Sequence, residues 1–174
     1  MRNWLVALAM IGTATAAEAA LPVGAKAPDF VTTGALGGKP FRLHLADQLR
    51  KGPVVLYFYP KAFTSGCTME AHAFSEASDD FRKAGATVLG MSADDAETLK
   101  RFSVEHCRGK FPVATASSAT IRDYDVKLPV VSMTNRTTYV IAPDGRVAMS
   151  YSALDWKEHV SRALAAVKAL QKKG

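Results

Sequence analysis

The sequence predicts an α/β layered domain, and three observations carry that reading. Short apolar runs rich in β-branched and aromatic residues alternate with longer segments whose apolar residues recur at helical spacing. Glycine and proline turns separate these segments, and a hairpin followed by a helix closes the chain. The chain has 174 residues, 48% of them hydrophobic, which suits one substantial core and is too short for two ordinary domains. The charged fraction, 22%, is that of a soluble protein, and the net charge of +6 is spread along the chain apart from Lys172-Lys173. A nucleic-acid binder would concentrate such charge on one face, so no nucleic-acid partner is expected.

The elements follow in order. Arg2, the apolar run Trp4 to Gly12 and the small-x-small triplet Ala17-Glu18-Ala19 predict a signal peptide over residues 1–19, with Ala20 first in the mature chain. The run is too short to span a bilayer. The mature protein, a single domain over 20–174, is therefore expected to be exported, periplasmic and without stable membrane insertion. Pro22 to Phe30 reads as an extended entry segment. Gly37-Gly38 marks a hairpin whose returning strand is Phe41 to Leu45, and Asp47 to Arg50 suits a helical turn. Val54 to Tyr59 is a buried strand, ended by Pro60, which cannot supply a ladder N–H. A helix then runs from Cys67 to about Ala84, with Ala71, Phe74, Ala77, Ser78 and Phe81 as its apolar stripe and Gly85 as its stop.

Ala86 to Ser92 is a second buried strand. Asp94 and Glu97 form a capping box for a helix through Leu99 and Phe102 to about His106. Phe111 to Thr115 is a third strand, Thr120 to Tyr124 lies in a short helix, and Arg136 to Ala142 is a fourth strand. Asp144-Gly145 turns it into Arg146 to Tyr151. Asp155 and Glu158 box the last helix, whose Val160, Ala163, Leu164, Val167 and Leu170 face the core.

The chemistry concentrates where the Val54 strand meets the Cys67 helix. Thr64, Ser65 and Gly66 are loop and cap types, so Cys67 opens the helix, and Glu70 falls in its first turn where a negative charge is favoured. A sulfur there meets unpaired N–H groups and the positive end of the helix dipole, which favours thiolate over thiol. Such a thiol could attack disulfides, acyl carbons or peroxides. Thr64 alone could act simply as the helix N-cap.

Pro60, Thr64 and Cys67 stand at the spacing P-x-x-x-T-x-x-C, within Tyr-Pro-Lys-Ala-x-Thr-x-Gly-Cys-Thr-x-Glu-Ala. This run resembles the active-site stretch of peroxiredoxins, in the bacterioferritin-comigratory and Q-type branch. Gly-x-x-Ala-Pro-x-Phe at Gly24 to Phe30 resembles the start of that family, and Arg136-Thr137-Thr138-Tyr139-Val140-Ile141 resembles its R-x-x-[FY]-V-I strand. The resemblance implies a thioredoxin-like fold, a central mixed β-sheet flanked by helices with a peroxiredoxin N-terminal extension. It implies a thiol peroxidase acting on hydrogen peroxide or alkyl hydroperoxides. Cys67 would be the nucleophile and pass through a sulfenic acid. Thr64 would hydrogen-bond peroxide and sulfur, Pro60 would shield the sulfur from water, and Arg136 would hold thiolate and peroxide oxygens with its fixed donors. No cofactor or metal is called for.

One departure from the family pattern bears on turnover. The position five residues after the nucleophile, a resolving cysteine in many relatives, is His72 here. The second cysteine, Cys107, lies at the far end of the Asp94 helix. If that helix runs away from Cys67, about 13 residues at ~1.5 Å rise leave the sulfurs on the order of 20 Å apart, against a Cα limit of about 7 Å for a disulfide. The expectation is a one-cysteine cycle in a monomer, with an external thiol as reductant, whether thioredoxin-like, glutaredoxin-like or small. Local unfolding to an internal disulfide and an intermolecular disulfide through Cys107 are the other routes. Two readings compete with peroxidase activity. A thiol–disulfide oxidoreductase would want Cys-x-x-Cys, where Glu70 stands, and a copper-binding thioredoxin-like module would want a second nearby sulfur.

Overall fold

A computed structural model describes residues 20–172. The signal segment expected over 1–19 lies outside the described residues. The elements run β1 Val31–Leu36, β2 Lys39–His44, α1 Leu45–Leu49, β3 Val54–Phe58, α2 Ser65–Lys83, β4 Thr87–Ser92, α3 Ala96–Glu105, β5 Val113–Thr115, α4 Ser118–Asp123, β6 Thr137–Ile141, β7 Val147–Ser152 and α5 His159–Gln171. The seven strands form one sheet in the order β2-β1-β5-β4-β3-β6-β7. β3, β4 and β5 pair in parallel, and the outer pairings are antiparallel. The mixed sheet flanked by helices is the thioredoxin-like architecture that the sequence implies.

β3 is central, and its alternation explains both cores. Val55, Tyr57 and Tyr59 point to the face covered by α2, α3 and α5, where Phe74, Phe81, Phe102, Ala163 and Val167 meet them. Val54, Leu56 and Phe58 point to the opposite face, against Leu45, Leu49, Ile121, Tyr124 and Tyr139. With both faces covered, every residue of β3 is buried, so the strand reads as an unbroken apolar run.

α2 ends in Gly85, which takes a φ of +71°, the left-handed turn that stops a helix at low cost in a residue without Cβ. Two caps differ from expectation. Asp95, not Asp94, caps α3, accepting from the Thr98 N–H at 2.8 Å. Asp94 is drawn one residue back because its carboxylate accepts from the Ala62 N–H and from the Ser92 hydroxyl. α5 lacks the expected box: Glu158 precedes it without a side-chain cap, and Asp155 accepts instead from the Lys157 N–H. Among the described residues no helix is long and apolar enough to cross a membrane.

Candidate active site

The loop from Pro60 to Thr64 carries the chain from the sheet to α2, and neighbouring elements fix it on both sides. The Ala62 N–H donates to Asp94 at 2.7 Å, tying the loop to the end of β4. The Thr134 hydroxyl donates to the Tyr59 carbonyl at 2.6 Å, tying it to the segment before β6. Phe63 takes a φ of +64°, unusual for an aromatic residue. Its ring is held by edge contacts to Phe102 and His106, with the Arg101 guanidinium 4.9 Å from its centroid.

Cys67 sits in the first turn of α2 and is only 1% exposed. Arg136, immediately before β6, reaches it from the sheet: Nη2 donates to Sγ at 3.4 Å. Nε donates to the Leu154 carbonyl at 2.9 Å, and Nη1 donates to Glu70. Three directed bonds therefore fix one guanidinium against the sulfur. Gly66 makes the approach possible, since a Cβ there would lie 3.1 Å from Arg136 Nη2. Burial works against the Arg136 charge, but Glu70 and Cys67 outweigh it and hold the guanidinium charged.

The structure thus brings Cys67 and Arg136 together and leaves Pro60 half-buried at the start of the loop. Thr64 stands at the N-cap of α2 with extended backbone, yet its hydroxyl donates to the Lys61 carbonyl at 2.9 Å rather than capping the helix. Glu70 is not the first-turn surface charge expected from the helix dipole. It is fully buried, one of its oxygens is bound by Arg136, and burial pushes its carboxyl up to about 8 against the pull of Arg136. The signal was present: Glu70 lies on the buried stripe with Cys67, Ala71 and Phe74, and a carboxyl there must find a partner.

His159, the first residue of α5, was also missed. It is fully buried, with Nε2 3.0 Å from the Ala153 carbonyl and Nδ1 2.8 Å from the Thr138 hydroxyl. Burial lowers its imidazole to about 4, so it is neutral at neutral pH.

α3 does not leave Cys67 behind. The residue after it, His106, meets His72 of α2, Nδ1 to Nε2 at 3.1 Å, and packs with Phe63 and Phe102 into one cluster. Cys107 is consequently buried in the same apolar core as Cys67, along with Tyr57 and Tyr59, and both thiols are free. Burial pushes the Cys107 thiol up. Among the described residues no group of three or more His, Cys, Asp or Glu side chains could hold a metal ion.

Comparisons with known proteins find relatives along most of the chain. Residues 23–150 match the AhpC/TSA family. Chloroplastic peroxiredoxin Q of Oryza sativa subsp. japonica is 31% identical over 94% of this chain and 81% of the rice protein. Peroxidoxin BcpB from Mycobacterium tuberculosis superposes with a TM-score of 0.74 at 32% identity, covering 85% of this chain and 97% of that one. Peroxiredoxin Q from Xanthomonas campestris superposes with a TM-score of 0.69 at 30% identity, covering 79% and 89%.

Proposed function

The chain belongs to the AhpC/TSA family as a Q-type peroxiredoxin, a thiol-dependent peroxidase, and we propose that it runs this chemistry on Cys67 alone, with an outside thiol closing the cycle. The observation that carries the proposal is the single guanidinium of Arg136, bound at once to Cys67 Sγ, Glu70 and the Leu154 carbonyl.

The Cys67 thiolate attacks the terminal oxygen of hydrogen peroxide or an alkyl hydroperoxide. The S–O bond forms as the O–O bond breaks, and the departing oxygen leaves as hydroxide or alkoxide and takes up a proton. Arg136 is fixed before the peroxide arrives, so its charge stabilises the developing anion without reorganising. The Thr64 hydroxyl turns from the Lys61 carbonyl to the peroxide, and Pro60 keeps water off the sulfur. Cys67 is left as a sulfenic acid. An external thiol then attacks it, water leaves, and a second thiol releases the mixed disulfide. The sum is one peroxide and two thiols giving an alcohol or water, a further water and one disulfide.

His72 at the fifth position, and the apolar setting of Cys107 in which burial alone acts on the thiol, support an external reductant over an internal one. We propose further that the protein works as a monomer, as the resemblance to this branch implies. The apolar run before Ala17-Glu18-Ala19 supports export to the periplasm with cleavage before Ala20. An exported protein whose N-terminus is Ala20 is the expected finding.

The test is the intact mass of the mature protein after one equivalent of hydrogen peroxide, with and without a sulfenic-acid trap. A gain of one oxygen, trapped at Cys67, is expected. A loss of two hydrogens would instead mean a Cys67–Cys107 disulfide and overturn the one-cysteine cycle.

A further inference from the structure

Two groups compete for one cation. Arg136 faces the Cys67 sulfur with Nη2 and the Glu70 carboxyl with Nη1, and all three side chains are buried. A low-dielectric site with one guanidinium cannot balance both a thiolate and a carboxylate, so one of the two must keep its proton. Which one keeps it decides whether Cys67 is a nucleophile.

The geometry around Glu70 answers this. Its Oε1 has no hydrogen-bond partner among the described residues. The group it faces is His159 Nδ1, 3.6 Å away. The tautomer of His159 is fixed from the other side of the ring: the Ala153 carbonyl can only accept, so Nε2 carries the hydrogen. Nδ1 is then bare and accepts from the Thr138 hydroxyl. An ionised Oε1 would face a lone pair with no donor, a costly arrangement for a buried oxygen. A protonated Oε1 carries no charge for that lone pair to oppose.

The remaining neighbours do not change this balance. The Tyr151 ring lies 4.7 Å from the His159 ring. The Tyr57 hydroxyl is buried and neutral. Asp155 and Arg162 act on His159 from a distance with opposite signs.

We propose that His159 is a positioning residue that keeps the proton on Glu70 while Cys67 is a thiolate, so that the charge of Arg136 serves the sulfur. The proposal rests on Cys67 being the nucleophile. Its effect passes through Glu70, the carboxyl that His159 Nδ1 faces. The values to which burial drives the two groups, about 8 for Glu70 and about 4 for His159, agree with a proton held on the carboxyl at neutral pH.

The experiment needs no peroxide, so it stays independent of whether the peroxidase reading holds. Cys67 is alkylated with iodoacetamide across a pH series in full-length protein carrying Cys107→Ser, which leaves one thiol to read. With His159→Phe, Glu70 loses the lone pair that opposes its charge and claims Arg136. The alkylation rate at slightly acid pH should fall about tenfold, the change expected when the ionisation midpoint moves by one pH unit. Glu70→Gln fixes the neutral form, so in that background the rate should no longer respond to His159→Phe. A His159→Phe rate equal to the parent would overturn the proposal, as would the same slowing in the Glu70→Gln background. A second readout serves if the phenylalanine variant does not fold. The infrared spectrum at neutral pH should contain a buried carboxylic-acid C=O band that Glu70→Gln removes. A spectrum that Glu70→Gln leaves unchanged in that region would sink the proposal.

Discussion

Cys67 and Cys107 are buried to the same degree, 1% and 0% exposed, in one apolar core, and almost everything else about them differs. Cys67 sits in the first turn of a 19-residue helix and has a guanidinium on its sulfur. Cys107 follows the end of α3, among apolar side chains, and burial acts on it unopposed. The comparison teaches that burial does not decide whether a thiol is reactive. A buried sulfur with a fixed cation and helix N–H groups can carry charge, whereas one without them stays a small hydrophobe.

Four substitutions test that contrast, from the largest expected effect to the smallest. Cys67→Ser should abolish peroxide consumption in a coupled thiol assay, and substantial remaining turnover would break the comparison at its root. Arg136→Ala should lower kcat/KM by about 10²–10³-fold, the cost of losing one preorganised charge-stabilising donor. Arg136→Lys should recover little of it, because a lysine cannot hold the sulfur, Glu70 and Leu154 together. Cys107→Ser should leave sulfenic-acid formation at Cys67 within about twofold. It should still cost about 1–3 kcal/mol in a denaturant titration, since a hydroxyl replaces a buried thiol. Failure of that first oxidation step would show that the two sulfurs are not independent.

The last test is pH-dependent stability around the cation that separates the two regions. The His159 imidazole is lowered from 6.5 to about 4 on folding, so its contribution is intact above 6.5 and is lost as pH falls through about 4. Glu70 is raised from 4.5 to about 8, so its contribution is intact below 4.5 and is lost as pH rises through about 8. Melting temperatures should therefore decline on both sides. His159→Phe should flatten the acid side and Glu70→Gln the alkaline side. Parallel curves for variant and parent would refute the assignment.

Much of this was legible in the sequence, and the reasons are local. β3 announced itself by an unbroken apolar run and Pro60, α2 by its stripe and Gly85, and the β1–β2 hairpin by Gly37-Gly38. Cys67 and Arg136 were found because a spaced motif marks each. Glu70 was misread because a carboxyl three residues into a helix looks like a dipole partner until the strand that brings Arg136 is in place. His159 carried no signal of its own beside Glu158, since what defines it comes from Thr138 and Ala153. The cap of α3 falls one residue after Asp94 for the same reason, the partner of Asp94 being the Ala62 N–H 32 residues earlier. The meeting of His106 with His72 depends on aromatic packing among Phe63, Phe102 and His106, which no helical period records.

The two anchors of the Pro60–Thr64 loop, Asp94 on one side and Thr134 on the other, bear on the kinetic order of turnover. With Cys67 only 1% exposed, a loop held at both edges must loosen before an external thiol can reach the oxidised sulfur. The observed rate of re-reduction should then level off at high thiol concentration. A rate that rises in proportion throughout would show that no opening step intervenes, and releasing Asp94 by substitution with asparagine should raise the plateau.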